Sequence, residues 1–369
     1  MKEIAIGNVI VMKRKEKGLT QEELAKYLGV SKPAVSKWES GQCYPDITLL
    51  PVIAAYFNIT VDELIGYQST LTKEEIRVLY RKLSAEFYQT GFDETYKQCT
   101  EYIRKYHSCW SVVFHMGLLI INNLGLVTDA DKKQSLYEEL ITIFAEVKEC
   151  SEDIALKNQA RQLEALCYLQ LNECDKVIEL LGDKPEIPVH KEPIVAKAFL
   201  MKGEEERAIQ MMQGHYYHLI LDLVGSYPSM LELYLKNPKK MIQWVQTLEP
   251  VIKGFELSLL HPSICLNTYI NIAILFMMAG ETEKALYYLH EYVEILNQPN
   301  LFPIALHGSD LFDSVDYLIR EMDLGKEPVR NEELIKKDLV SVVVSHPVWE
   351  PVREQAEYKK LVKKVQTLL

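Results

Sequence analysis

Residues 1–66 constrain the fold most, because helix starts and stops recur there at intervals too short for anything but short helices. Gly18 closes a first helix expected over residues 3–17, with Ile6, Val9, Ile10 and Lys13 along one side. Thr20-Gln21-Glu22-Glu23 is a capping-box sequence. The threonine hydroxyl accepts from the amide three residues on, and the glutamate carboxylate returns to the threonine amide. Leu24, Ala25 and Leu28 give a second helix its apolar stripe, and Gly29 stops it. Ser31 stands where a cap is needed for a third helix over residues 32–40. Pro33 falls in its first turn, where a missing N–H costs nothing.

Val35 and Trp38, three apart, form the inward stripe of that third helix, and Gly41 ends it. Asp46 opens a fourth helix reaching Phe57, and Thr60-Val61-Asp62-Glu63 caps a short fifth. Five short helices with a tight turn between the second and third make a helix-turn-helix bundle.

The wording of these segments carries a family resemblance. Gly18-Leu-Thr-Gln-Glu-Glu-Leu-Ala25, Val30-Ser-Lys-Pro-Ala-Val-Ser-Lys-Trp-Glu-Ser-Gly41, Tyr44-Pro-Asp46 and Asp62-Glu-Leu64 resemble the Xre family of phage-repressor-like regulators. The resemblance implies that the third helix enters the major groove of double-stranded DNA. Lys32, Pro33 and Lys37 would then meet base edges, with Gln21 and Ser40 at phosphates and Ser31 and Ser36 beside them. The chemistry is compatible. A lysine donates to guanine O6 and N7, a proline ring lies against a thymine methyl, and a helix N-terminus receives a phosphate. Each residue also has a plainer reading: the lysines as solvated surface, Pro33 as a helix starter, Ser31 as a cap. Glu39 would repel a phosphate. In the family this position pairs with a basic residue of the first helix, which here is Arg14, so a structural ion pair is expected instead.

Charge divides the same way. The chain carries a net charge of −11 over 369 residues, yet residues 1–66 hold eight basic and eight acidic side chains. The 33 basic and 44 acidic residues beyond them supply the whole excess. Bulk attraction therefore cannot hold this chain on DNA. A few placed contacts must, doubled by assembly into a homodimer.

Residues 67–71 read as a polar linker and 72–369 as a helical domain, giving an all-α chain. Within the second domain a spacing recurs: a small residue, a turn residue seven on, and a small or apolar residue five further. Ala165/Asn172/Val177, Ala196/Gly203/Ala208 and Ala273/Gly280/Ala285 carry it, Ser84/Gly91/Tyr96 is a poorer copy, and Gly117 marks a further first helix. The pattern resembles the tetratricopeptide repeat, with an irregular period and without that family's first-helix tryptophan. Such an array implies an α-solenoid whose inner face holds an extended peptide or a partner segment. Gln162, Asn267 and Asn271 are the peptide-binding candidates, since an amide both donates and accepts; each also reads as an ordinary polar surface residue.

The combination resembles the Rgg and PlcR type of peptide-sensing regulators. It implies a dimeric, sequence-specific transcription regulator whose repeats sense a short peptide. The rival reading makes the repeats a protein-docking platform with no small effector. No P-loop, GxGxxG, HExxH or GxSxG sequence argues for an enzyme or a cofactor. His215, His218 and Asp222 have helical spacing, but with Tyr216 and Tyr217 between them they read as packing, and no metal is expected. Seven cysteines without close pairing read as free thiols in a reducing cytoplasm, and no apolar run is long enough for a membrane span.

Overall fold

The computed structural model describes residues 6–66, 70–185, 190–299, 301–321, 324 and 330–368; these are helices, turns and coil without a strand. The start of the first helix before Ile6 and most of the expected linker, residues 67–69, lie outside the described residues. Contacts divide the chain into two compact units. One comprises Met1–Thr72 with Tyr106–Val112, the other Lys73–Lys105 with Val113–Leu369.

In the first unit, α1 (Ile6–Glu16), α2 (Gln21–Leu28), α3 (Lys32–Glu39), α4 (Leu50–Phe57) and α5 (Val61–Ile65) enclose a small core. Ile6, Ile10, Leu24, Val35, Trp38, Ile53, Phe57 and Leu64 are its main members, all buried. Both Thr20 and Thr60 form complete capping boxes, with Glu23 and Glu63 returning to the threonine amides. Gly29 takes φ 69°, a left-handed turn that closes α2 and sends the chain into α3. Gly7 is needed for another reason. A Cβ there would stand 2.3 Å from the Trp38 carbonyl oxygen, so α1 and α3 meet backbone to backbone.

Two expectations change. Ser31 occupies the N-cap position of α3, but its hydroxyl makes no cap hydrogen bond, and Pro33 leaves one fewer N–H in that turn to be capped. Asp46 caps a one-turn 3-10 helix (Ile47–Leu49) rather than α4 itself, and α4 begins at Leu50 with Pro51 in its first turn.

The second unit is built from helices packed as successive pairs. The first is α6 (Lys73–Gln89) with α7 (Phe92–Lys105), followed by α8 (Trp110–Asn123) and α9 (Ala130–Cys150). Then come α10 (Ile154–Gln170) with α11 (Cys174–Leu181), and α12 (Glu192–Met201) with α13 (Glu205–Glu232). After α14 (Pro238–Gly254) and α15 (Leu257–Leu260), α16 (Pro262–Met278) pairs with α17 (Thr282–Leu296). The end is formed by α18 (Val315–Glu321), α19 (Glu332–Val344) and α20 (Ala356–Gln366).

The recurring spacing marks four of these hairpins. Gly91, Asn172, Gly203 and Gly280 are their turn residues, and all four have positive φ. Ser84, Ala165, Ala196 and Ala273 are buried on the first helices, and Ala208 and Ala285 on the second. Small side chains at these points let paired axes approach. In the poorer copy Thr95, not Tyr96, is the fully buried residue, and its hydroxyl donates to the Gly91 carbonyl. Gly117 has its own reason to lack a side chain, since a Cβ would meet the Phe144 ring of α9 at 2.9 Å. The array is irregular because α13 runs 28 residues, outlasting its partner α12 and packing onward against α16.

Candidate nucleic-acid interface

The exposed face of α3 is built by what the opposite face must bury. Val35 and Trp38 are driven into the core, leaving Lys32, Pro33, Ser36, Lys37 and Ser40 outward. At 3.6 residues per turn these five positions fall within an arc of about 140°. Ser31, just ahead of them, is also exposed. Its uncommitted hydroxyl adds a donor at the start of the helix. The face thus carries two ammonium groups, three hydroxyls and one proline ring, a set that suits an anionic, hydrogen-bonding surface. The Ser40 hydroxyl lies 3.2 Å from the Lys37 carbonyl, to which it donates. Lys32 reaches Glu22 of α2 at 3.4 Å, an exposed pair that a competing phosphate can replace at little cost. Among the described residues Lys37 has no ion-pair partner.

The only carboxylate of α3 is removed from that face. Glu39 turns inward, its side chain 6% exposed, and receives Arg14 Nε at 2.6 Å and Arg14 Nη2 at 2.9 Å. Arg14 also donates to the Leu19 carbonyl, which ties the α1–α2 turn to the same group. A third donor arrives from α2: Gln21 Nε2 lies 2.8 Å from Glu39 Oε2. Burial pushes the Glu39 carboxyl upward, but the hydrogen bonds from Arg14 and Gln21 outweigh it and hold the group below the usual carboxylate range. Arg14 is pushed up, first by its bond to Glu39. What reasoning from sequence missed is the bond made by Gln21. Its side-chain amide is engaged within the protein, so its readiest donor toward solvent is the backbone N–H at the first position of α2. No spacing rule connects residues 18 apart across a turn.

Residues 10–64 match a family model described as Helix-turn-helix. Residues 10–64 are a helix-turn-helix domain. The same segment resembles the HTH-type transcriptional activator BcrR of Enterococcus faecalis, with 47% identity over 62 residues. That alignment covers 17% of this chain and 30% of BcrR, so the likeness is confined to the helix-turn-helix domain. Two solved structures align over more of the chain. One is PlcR of Bacillus thuringiensis in complex with the peptide PapR7 and DNA, at 17% identity and TM-score 0.25, covering 80% of this chain and all of that one. The other is the apo form of the competence regulator ComR of Streptococcus vestibularis, at 12% identity and TM-score 0.29, covering 87% and 98%. Likenesses this loose fix neither the architecture nor the ligand of the second unit.

In that second unit the peptide-binding candidates do not converge on a cavity. Gln162 is exposed on α10, whereas Asn267 and Asn271 lie on α16. Asn271 donates to both the carbonyl and the side-chain oxygen of Asn267, so its amide is already engaged. A concavity of about 500 Å³ lies elsewhere, between α12, α13 and α18. His215, His218 and Asp222 line it together. Among the described residues no helix is long and apolar enough to cross a membrane.

Proposed function

We propose that this chain is a sequence-specific, DNA-binding transcription regulator that acts as a homodimer through its helical-repeat unit. The observation that carries the reading is the outward face of α3: Lys32, Pro33, Ser36 and Lys37 exposed together, with the helix's one carboxylate turned into the core. In this reading α3 lies in the major groove. Lys37 and Lys32 donate to purine edges, Pro33 packs on a thymine methyl, and Ser31, Ser36 and Ser40 flank them. The N-terminus of α2, at Gln21, receives a backbone phosphate through its amide N–H. Arg14 and Glu39 stay within the protein and set the angle between α1 and α3.

The repeat unit is the sensing half of the proposal, with a short peptide as effector. Its support is the hairpin array, which offers an extended surface of paired helices. The competing reading, a docking platform for another protein, is favoured by the exposed apolar side chains Leu166, Leu169, Ile178 and Leu181 on α10 and α11.

The test is selection of duplexes from a randomised library with the full chain, followed by affinity measurements at two salt concentrations. Enrichment of one two-fold site, weakened by Lys32→Ala and Lys37→Ala, supports the reading. Retention of random duplex with no enriched sequence contradicts it. Synthetic peptide pools that raise the melting temperature by mass action identify a peptide effector. A protein that co-purifies while no peptide shifts the transition identifies the platform.

A further inference from the structure

The cavity between α12, α13 and α18 contains a cluster that sequence spacing does not reveal. His190 lies in the coil entering α12, Glu192 is the first residue of α12, and His215 lies on the third turn of α13. The α12–α13 hairpin, closed at Gly203 with φ 77°, brings them together. His215 Nδ1 stands 3.6 Å from Glu192 Oε2. The two imidazole rings lie with centroids 4.7 Å apart at a 59° tilt. One ligating atom from each of the three side chains falls within 4.8 Å of the others. His215 is 10% exposed and Glu192 26%.

We propose that His190, Glu192 and His215 form a binding site for one divalent transition-metal ion of the zinc class. Two neutral imidazoles and one carboxylate are a donor set that zinc, cobalt and nickel accept, whereas magnesium and calcium require oxygen ligands throughout. The geometry is close to what such an ion needs. With metal–ligand bonds of about 2.0–2.1 Å, tetrahedral coordination holds its donor atoms roughly 3.4 Å apart. The Glu192–His215 pair already matches that spacing, and His190 supplies the remaining closure from an exposed coil position.

Without a metal the grouping has little to recommend it. At 3.6 Å the His215–Glu192 contact is too long for a hydrogen bond, and among the described residues neither Glu192 nor His190 has a Lys or Arg partner. The remaining coordination position faces the cavity of about 500 Å³, where His218, Asp222 and Arg207 stand. Water or a small anionic ligand completes the shell there. Because two ligands enter from the α12 side and one from α13, occupancy ties the start of one repeat helix to the middle of its partner. The site is independent of the DNA-binding reading.

The experiment uses the full chain, stripped with a chelator and dialysed, with Co²⁺ as the spectroscopic probe and Zn²⁺ as competitor. The expected result is one Co²⁺ per chain, with ligand-field bands of a low-coordinate ion, no near-ultraviolet thiolate charge transfer, and displacement by Zn²⁺. His190→Ala and Glu192→Gln should each weaken Co²⁺ by at least the 10–100-fold typical of disturbing a metal shell. Both residues are more exposed than His215, and the melting curve of each variant in chelator verifies its fold. Three results overturn the proposal: no stoichiometric Co²⁺ spectrum, a thiolate band that assigns the ion to the exposed Cys43, Cys150 or Cys174, or an affinity unchanged by both substitutions.

Discussion

Glu39 accepts both Arg14 Nε and Arg14 Nη2, at 2.6 and 2.9 Å, in a two-pronged ion pair linking α3 to α1 across 25 residues of sequence. Its side chains are 12% and 6% exposed, and Gln21 closes the remaining side at 2.8 Å. A planar guanidinium suits this geometry and a lysine would not, since only the fork reaches both carboxylate oxygens at once. The pair does two things for the proposed surface. It fixes α3 against α1, and it hides a negative charge that would otherwise face phosphate.

Arg14→Ala is therefore expected to destabilise the helix-turn-helix domain by on the order of 3 kcal/mol, because it leaves Glu39 buried without its counter-charge. Amide hydrogen exchange over α2 and α3 in the full chain reads this directly. The pH dependence has a definite sign. Glu39 is depressed in the folded state, so its contribution is present above the ordinary carboxylate range and is lost as pH falls through the folded value. Protection that is unchanged in Arg14→Ala and flat on acidification would remove the pair from the stability of this domain.

Gly7→Ala tests the contact that this pair secures. A methyl group would stand 2.3 Å from the Trp38 carbonyl oxygen, and backbone cannot move aside as a flexible side chain can. The expected cost is about 1–3 kcal/mol, as for overpacking elsewhere. It should appear as faster exchange in α1 and α3, with the second unit unaffected. A Gly7→Ala variant as protected as the parent would mean that α1 and α3 do not approach this closely.

Lys37→Ala should weaken specific DNA binding by about 1–3 kcal/mol and relax preference at one base position per half-site. Gln21→Ala makes a different prediction. Its side chain bonds Glu39, and the proposed phosphate contact is made by the backbone N–H, which alanine keeps. The variant should therefore lose domain stability, with any loss of binding following from that and equal across sequences. A randomised-site selection with each variant separates them. Selectivity altered by Gln21→Ala and untouched by Lys37→Ala would reverse the two roles.

Which features were legible in the sequence follows from how far each signal reaches. Capping boxes at Thr20 and Thr60 depend on residues three apart, and the four hairpin turns depend on one residue that tolerates positive φ. Both are local, so a linear reading finds them. Ser31 fits a cap position by residue type whether or not the bond forms, so the sequence does not reveal that its hydroxyl makes no cap hydrogen bond. The engagement of Gln21 and the gathering of His190, Glu192 and His215 depend on how helices close on each other. Helical spacing instead groups His215 with His218 and Asp222; all three line the cavity, but only His215 belongs to the cluster. Asn267 and Asn271 do share a face, and their nearness satisfies one amide with the other, something periodicity alone could not show.

The last prediction concerns assembly. A helix-turn-helix module of this size covers on the order of 600–1,000 Å² of DNA, generally too little for tight operator binding. This one also lacks the usual compensation, because residues 1–66 carry equal numbers of basic and acidic side chains and attract DNA weakly. A truncation ending at Gly66 should accordingly bind the selected site poorly, while the full chain binds it as a dimer. Two modules joined through their second units gain from effective concentration, since once one is seated the other searches only a small volume. They should read half-sites about 34 Å apart, or a multiple of that, so that both copies of α3 meet the same side of the duplex. An effector that alters the joint between second units would then switch binding by changing that separation, with Lys32 and Lys37 untouched. Sedimentation of the full chain and the truncation, each alone and with the selected duplex, reads both claims. A full chain that sediments as a monomer on DNA, or a truncation that binds as tightly as the whole protein, would place the affinity in a single domain and leave the second unit without this role.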